Sequence, residues 1–157
     1  MKKYISMLCI LFSFCIQAQK LWGTMYYNQN YFSSSLSTSA GAVFSLDANG
    51  NNFEIKKDFE YQEIGSGAWL QHSLMRATDG YFYTSTAINP LILRIDSLGN
   101  YKTLKGSNMS PTTNLVQRKD GNLWGVQLNN VFKMNLDGNA IVTSTFSGFA
   151  SSNILLT

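Results

Sequence analysis

The sequence has little that could build a catalytic or metal centre of a familiar kind. Its 157 residues include one histidine, His72, and two cysteines, Cys9 and Cys15, both in an apolar stretch near the start. If that stretch is removed, no disulfide, thiolate metal site or cysteine nucleophile remains. A second histidine for a metal site and the G-x-S-x-G motif of hydrolases are also absent. We therefore predict no catalytic residues, no metal and no cofactor, and interpret His72 as a surface or loop-packing residue.

The apolar stretch is organised like a secretory signal peptide. A short basic start, "MKK", precedes 13 mostly apolar residues, "YISMLCILFSFCI", and "QAQ" follows. The run is too short for a transmembrane helix, which needs about 20 residues. We predict that residues 1–18 are a signal peptide, cleaved after Ala18 or Gln19, and that the protein is secreted, either outside the cell, at its surface or in the periplasm.

Charge is scarce as well. The chain has 12 basic and 9 acidic residues, and loss of Lys2 and Lys3 with the leader would leave 10 basic against 9, a net charge of +1. A nucleic-acid partner requires a clustered basic patch. The pairs at 56–57 and 118–119 do not form one, so nucleic acid is excluded as a partner.

What the chain does have is a repeat of about 40 residues, rich in glycine and aromatic residues and typical of an all-β domain. "NLVQRKDGNLWGV" (114–126) aligns with "SLMRATDGYFYTS" (73–85), and "VFKMNLDGN" (131–139) with "VFSLDANGN" (43–51). Asp-Gly and Gly-Asn supply the positive φ of tight hairpins. We predict one domain over 19–157, with four short strands per unit. The units are about 20–59, 73–104 and 114–146, with the start of a fourth at 151–157.

Both faces of each predicted sheet carry apolar side chains. Alternation along the third unit places Trp124, Val126, Phe132, Met134 and Phe146 on one face and Leu115, Leu123, Val131 and Ile141 on the other. Such sheets must be covered on both sides, which predicts a propeller-like stack of about three four-stranded blades, with a β-trefoil as the alternative. The equivalent rings of Trp22, Tyr83 and Trp124 should be buried at the same place in successive sheets.

The paired elements "DGNLWG" and "VFKMNLDGN" resemble the GloVer tandem repeats of secreted bacterial proteins and the repeats of two-component-regulator propellers. The resemblance covers nearly all of residues 20–157. It implies a propeller-type fold outside the cell or on its surface, and it carries over no catalytic residues.

Two segments are candidates for binding or chemistry. Residues 24–41, "TMYYNQNYFSSSLSTSAG", stand where the other units have short loops, and their aromatic rings suit a sugar or simple loop packing. The ligand-contact residues predicted there are Tyr26, Tyr27, Tyr31 and Phe32. The carboxylates of Asp58, Glu60 and Glu63 could serve glycoside hydrolysis, or they lie at a solvated strand end.

The sequence thus predicts a secreted, non-enzymatic module for binding or for structural and cell-surface interaction. The alternatives are a lectin-like carbohydrate-binding module using loop 24–41 and a polysaccharide-active enzyme. The partner is unknown and could be a glycan or another protein. We expect an open arc, with Ile154–Leu156 packed on the third sheet rather than paired with Leu21–Met25. Further repeats of a longer chain or a second copy would then complete it.

The signal-peptide prediction is tested by intact mass spectrometry of protein secreted by the producing cell. We expect a mature chain that begins at Gln19 or Lys20. Secreted protein that retains Met1 would contradict the prediction.

Overall fold

The computed structural model describes residues 19–25, 39–60, 70, 72–86, 91–104, 113–145 and 147. They form eleven β-strands: β1 (Lys20–Met25), β2 (Ser39–Asp47), β3 (Glu54–Glu60), β4 (Met75–Arg76), β5 (Phe82–Ser85), β6 (Ile92–Ile95), β7 (Tyr101–Thr103), β8 (Val116–Gln117), β9 (Leu123–Gln127), β10 (Asn130–Met134) and β11 (Ala140–Thr145). Within these ranges no helix could cross a membrane. The predicted all-β class is confirmed. The predicted signal peptide and residues 151–157 lie outside the described ranges.

The strands form three antiparallel sheets that follow the three repeats. Sheet 1 has the order β1-β2-β3, sheet 2 the order β4-β5-β6-β7, and sheet 3 contains β8 to β11 in sequence order. Each sheet is a meander of consecutive strands, as in a propeller blade. Sheet 1 has three strands in the described part of the chain, and β1 corresponds to β5 and β9. The strand that would correspond to β4 and β8 is not among the described residues.

Five hairpin turns of the described chain share one hydrogen-bond pattern. In the turn 118–122, the Gly121 amide donates to the carbonyl of Arg118 (2.9 Å), and the Arg118 amide donates to the carbonyl of Asn122 (3.1 Å). The same pair of bonds closes turns 47–51, 77–81, 96–100 and 135–139. The glycine in each has φ between +79° and +99°, the left-handed conformation of a three-residue hairpin with a glycine bulge. Asp120-Gly121 therefore reverses the chain, as predicted. All five turns lie at the same end of the strands, which we call one edge of the stacked sheets.

A glycine and a phenylalanine face each other across strands in sheets 1 and 3. Gly23 pairs with Phe44, and Gly125 pairs with Phe132. A Cβ atom on either glycine would lie 2.6 Å from Cζ of the facing ring. The glycine of "LWG" is therefore required by the phenylalanine of "VF", because the ring occupies the space of the missing side chain.

In sheet 2, two medium-sized residues occupy the positions of the glycine and the phenylalanine. Thr84 stands at the glycine position and pairs with Leu93, which stands at the phenylalanine position. Both side chains are fully buried. The larger residue on one strand is thus matched by a smaller one on the other, so that total volume is kept across the repeats.

Sheet 2 is covered on both faces by its neighbours. Phe82, Leu93 and Ile95 of sheet 2 form one core cluster with residues of sheet 1 that include Val43 and Phe59. The opposite face of sheet 2 carries Tyr83 and Ile92, which join a second cluster. Its partners from sheet 3 include Leu123, Phe132 and Met134. The sheets are therefore stacked face to face, which confirms the prediction of a propeller-like array.

The faces predicted for the third unit need a correction. Cross-strand partners share a face, and Trp124 pairs with Lys133 while Leu123 pairs with Met134. Phe132 and Met134 therefore lie on the face of Leu123, opposite to Trp124. Val131 pairs with Val126 and lies on the face of Trp124, not on that of Leu123. Alternation along a single strand does not relate one strand to the next, and the register of the β9–β10 hairpin decides which residues share a face.

The predicted burial of the three equivalent rings is confirmed only for Tyr83, which is fully buried between sheets 2 and 3. Trp22 is partly exposed and stacks on Phe82 of the next sheet, with ring centroids 4.4 Å apart. Trp124 is also partly exposed, because no described sheet covers its face.

The glycine–phenylalanine contact is tested by Gly125→Ala. The new methyl group would overlap the Phe132 ring, and we expect a loss of about 1–3 kcal/mol in the free energy of unfolding. Adding Phe132→Leu should recover part of that loss, because the pair then resembles Thr84 and Leu93. Urea unfolding of the parent, the two single variants and the double variant measures the coupling. Additive losses would contradict a steric conflict between the two positions.

In turns 96–100 and 135–139, an aspartate or asparagine at the first position caps the turn. Asp96 Oδ1 accepts hydrogen bonds from the amides of Leu98 (2.8 Å) and Asn100 (2.9 Å). Asn135 Oδ1 accepts the equivalent bond from the Asn139 amide (2.9 Å). The side-chain hydrogen bond from Asn100 is the main cause that lowers the pKa of Asp96 below its ordinary value of 3.8.

The lowered pKa of Asp96 predicts that acid destabilises the fold. Asp96→Asn should remove this part of the pH dependence of stability. Since the pKa is lower in the folded state, the Asp96 carboxylate stabilises the fold above about pH 3.8. That contribution is lost as pH falls through the folded-state pKa. Asp96→Asn should keep the turn, as Asn135 does, and should lose stability less steeply below about pH 4. Thermal unfolding between neutral and acid pH, with Asn135→Asp as the reciprocal variant, checks this, and an unchanged pH dependence in Asp96→Asn would contradict it.

Candidate functional site at the junction of the first two sheets

Leu70 and residues 72–74 form a segment at the junction of sheets 1 and 2, at the edge opposite the glycine turns. Leu70 forms an isolated bridge with Thr86 of sheet 2, and its amide donates to the carbonyl of Ala40 in sheet 1 (3.2 Å). Leu70 itself is 1% exposed. Its burial and these two backbone contacts tie the segment to both sheets.

His72 is held at the same junction through its backbone. The carbonyl of His72 accepts hydrogen bonds from Thr24 Oγ1 of β1 (3.1 Å) and from Thr84 Oγ1 of β5 (3.0 Å). Its side chain is partly exposed. The structure thus fixes the backbone of His72 at the edge opposite the glycine turns.

The third repeat has a threonine where the second has His72. Thr113 lies 41 residues further along, is 2% exposed, and accepts a hydrogen bond at Oγ1 from the amide of Val126 (3.2 Å). His72 is therefore a departure from the repeat rather than part of its packing rule. The repeat alignment could have shown this departure, but the two threonines that bind its carbonyl could not have been found without the fold.

A cleft of about 900 Å³ opens on the other side of the junction, beside β1. Its base is the Trp22–Phe82 stack, and Arg76 lies with its guanidinium 5.9 Å from the Phe82 ring centroid. The lining residues are Gln19, Lys20, Leu21, Trp22, Asp47, Leu74, Arg76, Phe82 and Ser97.

The junction of sheets 2 and 3 shows what fills the position equivalent to this cleft. Gln117 of β8 occupies the register position of Arg76. Gln117 Nε2 donates to Thr78 Oγ1 (3.2 Å) and to the Gly121 carbonyl (2.9 Å), and its Oε1 accepts from the Thr78 amide (2.8 Å). Thr78 belongs to the β4–β5 turn. At the next junction, the β4–β5 hairpin therefore fills the position that corresponds to this cleft. The cleft beside β1 is the position of an equivalent hairpin and not a small-ligand site.

A partly buried polar cluster in sheet 2 is structural. Tyr83 Oη donates to Asp79 Oδ2 (2.8 Å), and Arg94 lies 3.5 Å from the same carboxylate oxygen and 3.7 Å from the centroid of the Tyr81 ring. Burial, assisted by the Asp79 hydrogen bond, raises the pKa of Tyr83 well above its ordinary value. The phenol therefore stays protonated at neutral pH and acts as a hydrogen-bond donor, not as a base.

The predicted acidic group is only partly described. Asp58 and Glu60 lie two residues apart on β3, so both project from the same side of that strand. In the described sheet, β3 pairs only with β2. The sheet 1 hydroxyl that donates to the His72 carbonyl belongs to Thr24 of β1, so the two carboxylates lie on a different strand from that contact. Glu63 lies outside the described residues. No group of three or more His, Cys, Asp or Glu side chains in the described ranges is placed to hold a metal ion.

The predicted ligand-contact residues Tyr26, Tyr27, Tyr31 and Phe32 also lie outside the described residues. The structure therefore does not place them near any site, and their role stays a prediction.

No family model and no curated protein matches this chain, so the resemblance to GloVer repeats also stays a prediction. Solved structures do match. One is a catalytically inactive variant of virginiamycin B lyase from Staphylococcus aureus with quinupristin, with 15% identity and a TM-score of 0.57. The match covers 86% of this chain and 49% of that one. A streptogramin B lyase matches with 18% identity and a TM-score of 0.52, over 66% of this chain and 34% of that one.

These neighbours show the fold and correct one prediction. The propeller-type fold is confirmed, and the chain spans half or less of the length of the lyases that it matches. The prediction of a non-enzymatic module is contradicted, because the neighbours with this fold are enzymes. That prediction relied on missing local motifs. Propeller sites are assembled from loops of several blades and need no contiguous motif.

Proposed function

We propose that the chain forms three blades of a β-propeller enzyme with lyase activity, in which His72 is a catalytic acid or base. The fold match to the lyases carries the proposal. The lyase solved with quinupristin is a histidine-to-alanine variant described as catalytically inactive. This chain contains a single histidine, which makes His72 the residue to test.

The position of His72 supports this role. It lies at the edge opposite the five glycine turns, where β1 ends and β2 begins, and segments beyond strand ends commonly carry function. Its carbonyl is bound by Thr24 and Thr84, which belong to different sheets. A fixed backbone limits the positions that the His72 ring can reach, which favours the defined geometry that proton transfer requires.

The chemistry is within reach of a histidine. A lyase breaks a bond by elimination, so that one group removes a proton and another returns a proton to the leaving atom. Histidine gains and loses a proton most readily near neutral pH. Because the chain spans about half of the lyase with quinupristin, we propose that further blades supply the remaining groups of the site.

The proposal is tested by incubating the purified protein with virginiamycin B or quinupristin and following the products by liquid chromatography and mass spectrometry. We expect products whose masses sum to that of the substrate, whereas hydrolysis would add one water. His72→Ala should lower the rate by roughly 100-fold or more, as removal of an acid–base group does.

Ser73→Ala is the matched control, because it changes an exposed neighbour on the same segment and should retain the parent rate. Thermal unfolding of both variants shows whether the segment is still folded. Absence of turnover in the parent protein, or full activity in folded His72→Ala, would contradict the proposal.

A further inference from the structure

Each sheet of the array has two unlike faces, and the sheets stack in one direction. We call the face with the Gly–Phe or Thr–Leu pair the leading face, and the face with the Trp or Tyr ring the trailing face. The trailing face of sheet 1 contacts the leading face of sheet 2, where Trp22 stacks on Phe82. The trailing face of sheet 2 contacts the leading face of sheet 3, where Tyr83 packs in the cluster of Leu123. Both junctions therefore follow one rule.

The leading face of sheet 1 is apolar and has no described sheet against it. Leu21 is 48% exposed and Phe53 is 55% exposed. The Phe53 ring lies 5.4 Å from the ring of Phe44, which pairs with Gly23 on this face. An exposed cluster of large apolar side chains of this kind marks an interaction surface.

The trailing face of sheet 3 is the complementary surface. Trp124 pairs with Lys133, and Val126 pairs with Val131, so these four side chains share the face. Val126 is buried, and the other three are partly exposed. Trp124 is partly exposed, and the cations of Arg118 and Lys133 lie 5.2 and 6.0 Å from its ring centroid. Trp124 is the equivalent of Trp22, and it has no stacking partner from a following sheet among the described residues.

We propose that the trailing face of sheet 3 docks on the leading face of sheet 1 of a second copy of this chain. Leu21 stands at the register position of Phe82, since they pair with Leu46 and Ile95 at equivalent points of their sheets. Trp124 against Leu21 of the second copy would therefore repeat the contact that Trp22 makes with Phe82. The occupant is a second copy because the two outer faces complement each other by the rule that stacks the sheets within one copy.

The fold match indicates how many copies would form a ring. This chain superposes 86% of its residues on 49% of the lyase with quinupristin, so that three sheets follow about half of that ring. Two copies related by a twofold axis bring each trailing face onto a leading face, form two identical junctions and close the ring. The interface does not depend on the proposed activity.

Sedimentation velocity of the purified protein over a range of concentrations tests this interface. We expect a species with twice the mass of one chain. Leu21→Asp and Trp124→Asp alter opposite faces, and each affects both junctions of the pair. Each should therefore weaken dimerisation by about 100-fold or more, as loss of a central contact does. Leu98→Asp is the control, because Leu98 is 76% exposed in a turn of sheet 2 and should leave the dimer intact.

Mixing the two variants separates head-to-tail docking from a contact between identical faces. A mixed pair keeps one unaltered junction, formed by Trp124 of the Leu21→Asp chain and Leu21 of the Trp124→Asp chain. We expect the mixture to form more dimer than either variant alone. If Trp124→Asp does not fold, Val131→Asp on the same face takes its place. A parent protein that is monomeric at all concentrations, or a dimer that both variants leave unchanged, would overturn the proposal.

Discussion

In sheets 1 and 3 a phenylalanine ring packs against a glycine on the neighbouring strand, at a distance that leaves no room for a Cβ atom. The ring of Phe132 is thereby held on the leading face, where it joins the core cluster shared with sheet 2. Where the ring is replaced by Leu93, the glycine is replaced by Thr84. The volume of each cross-strand pair sets how closely the next sheet can stack, so the array depends on this pairing.

Stacking of unlike faces explains both the regularity of the interior and the character of the outer surfaces. Tyr83 is fully buried because sheet 3 covers it, whereas Trp22 and Trp124 are partly exposed. Their exposure has different causes, since Trp22 borders the cleft beside β1 and Trp124 faces away from the described sheets. A unit that buries its apolar faces only against copies of itself is the basis of repeat architectures.

The sequence predicted those features that depend on local chemistry. The turns followed from Asp-Gly and Gly-Asn, because glycine adopts positive φ at little cost, and the sheets followed from the repeat. The face of Phe132 was assigned wrongly, because it depends on the register between β9 and β10. The fixed position of His72 could not be predicted either, since it depends on hydroxyls 48 and 12 residues away. Contacts between sheets depend on how the sheets stack, which the local sequence pattern does not specify.

A propeller-type array built in this way offers a rigid frame with function placed on its edges, which agrees with its occurrence in lyases. The central claim is that the Gly–Phe and Thr–Leu pairs are alternative solutions of one packing problem. The most direct measurement is the unfolding free energy of sheet 2 variants. Leu93→Phe should destabilise the protein, because the larger ring meets Thr84, and adding Thr84→Gly should restore most of that loss. A double variant no more stable than Leu93→Phe alone would contradict the account.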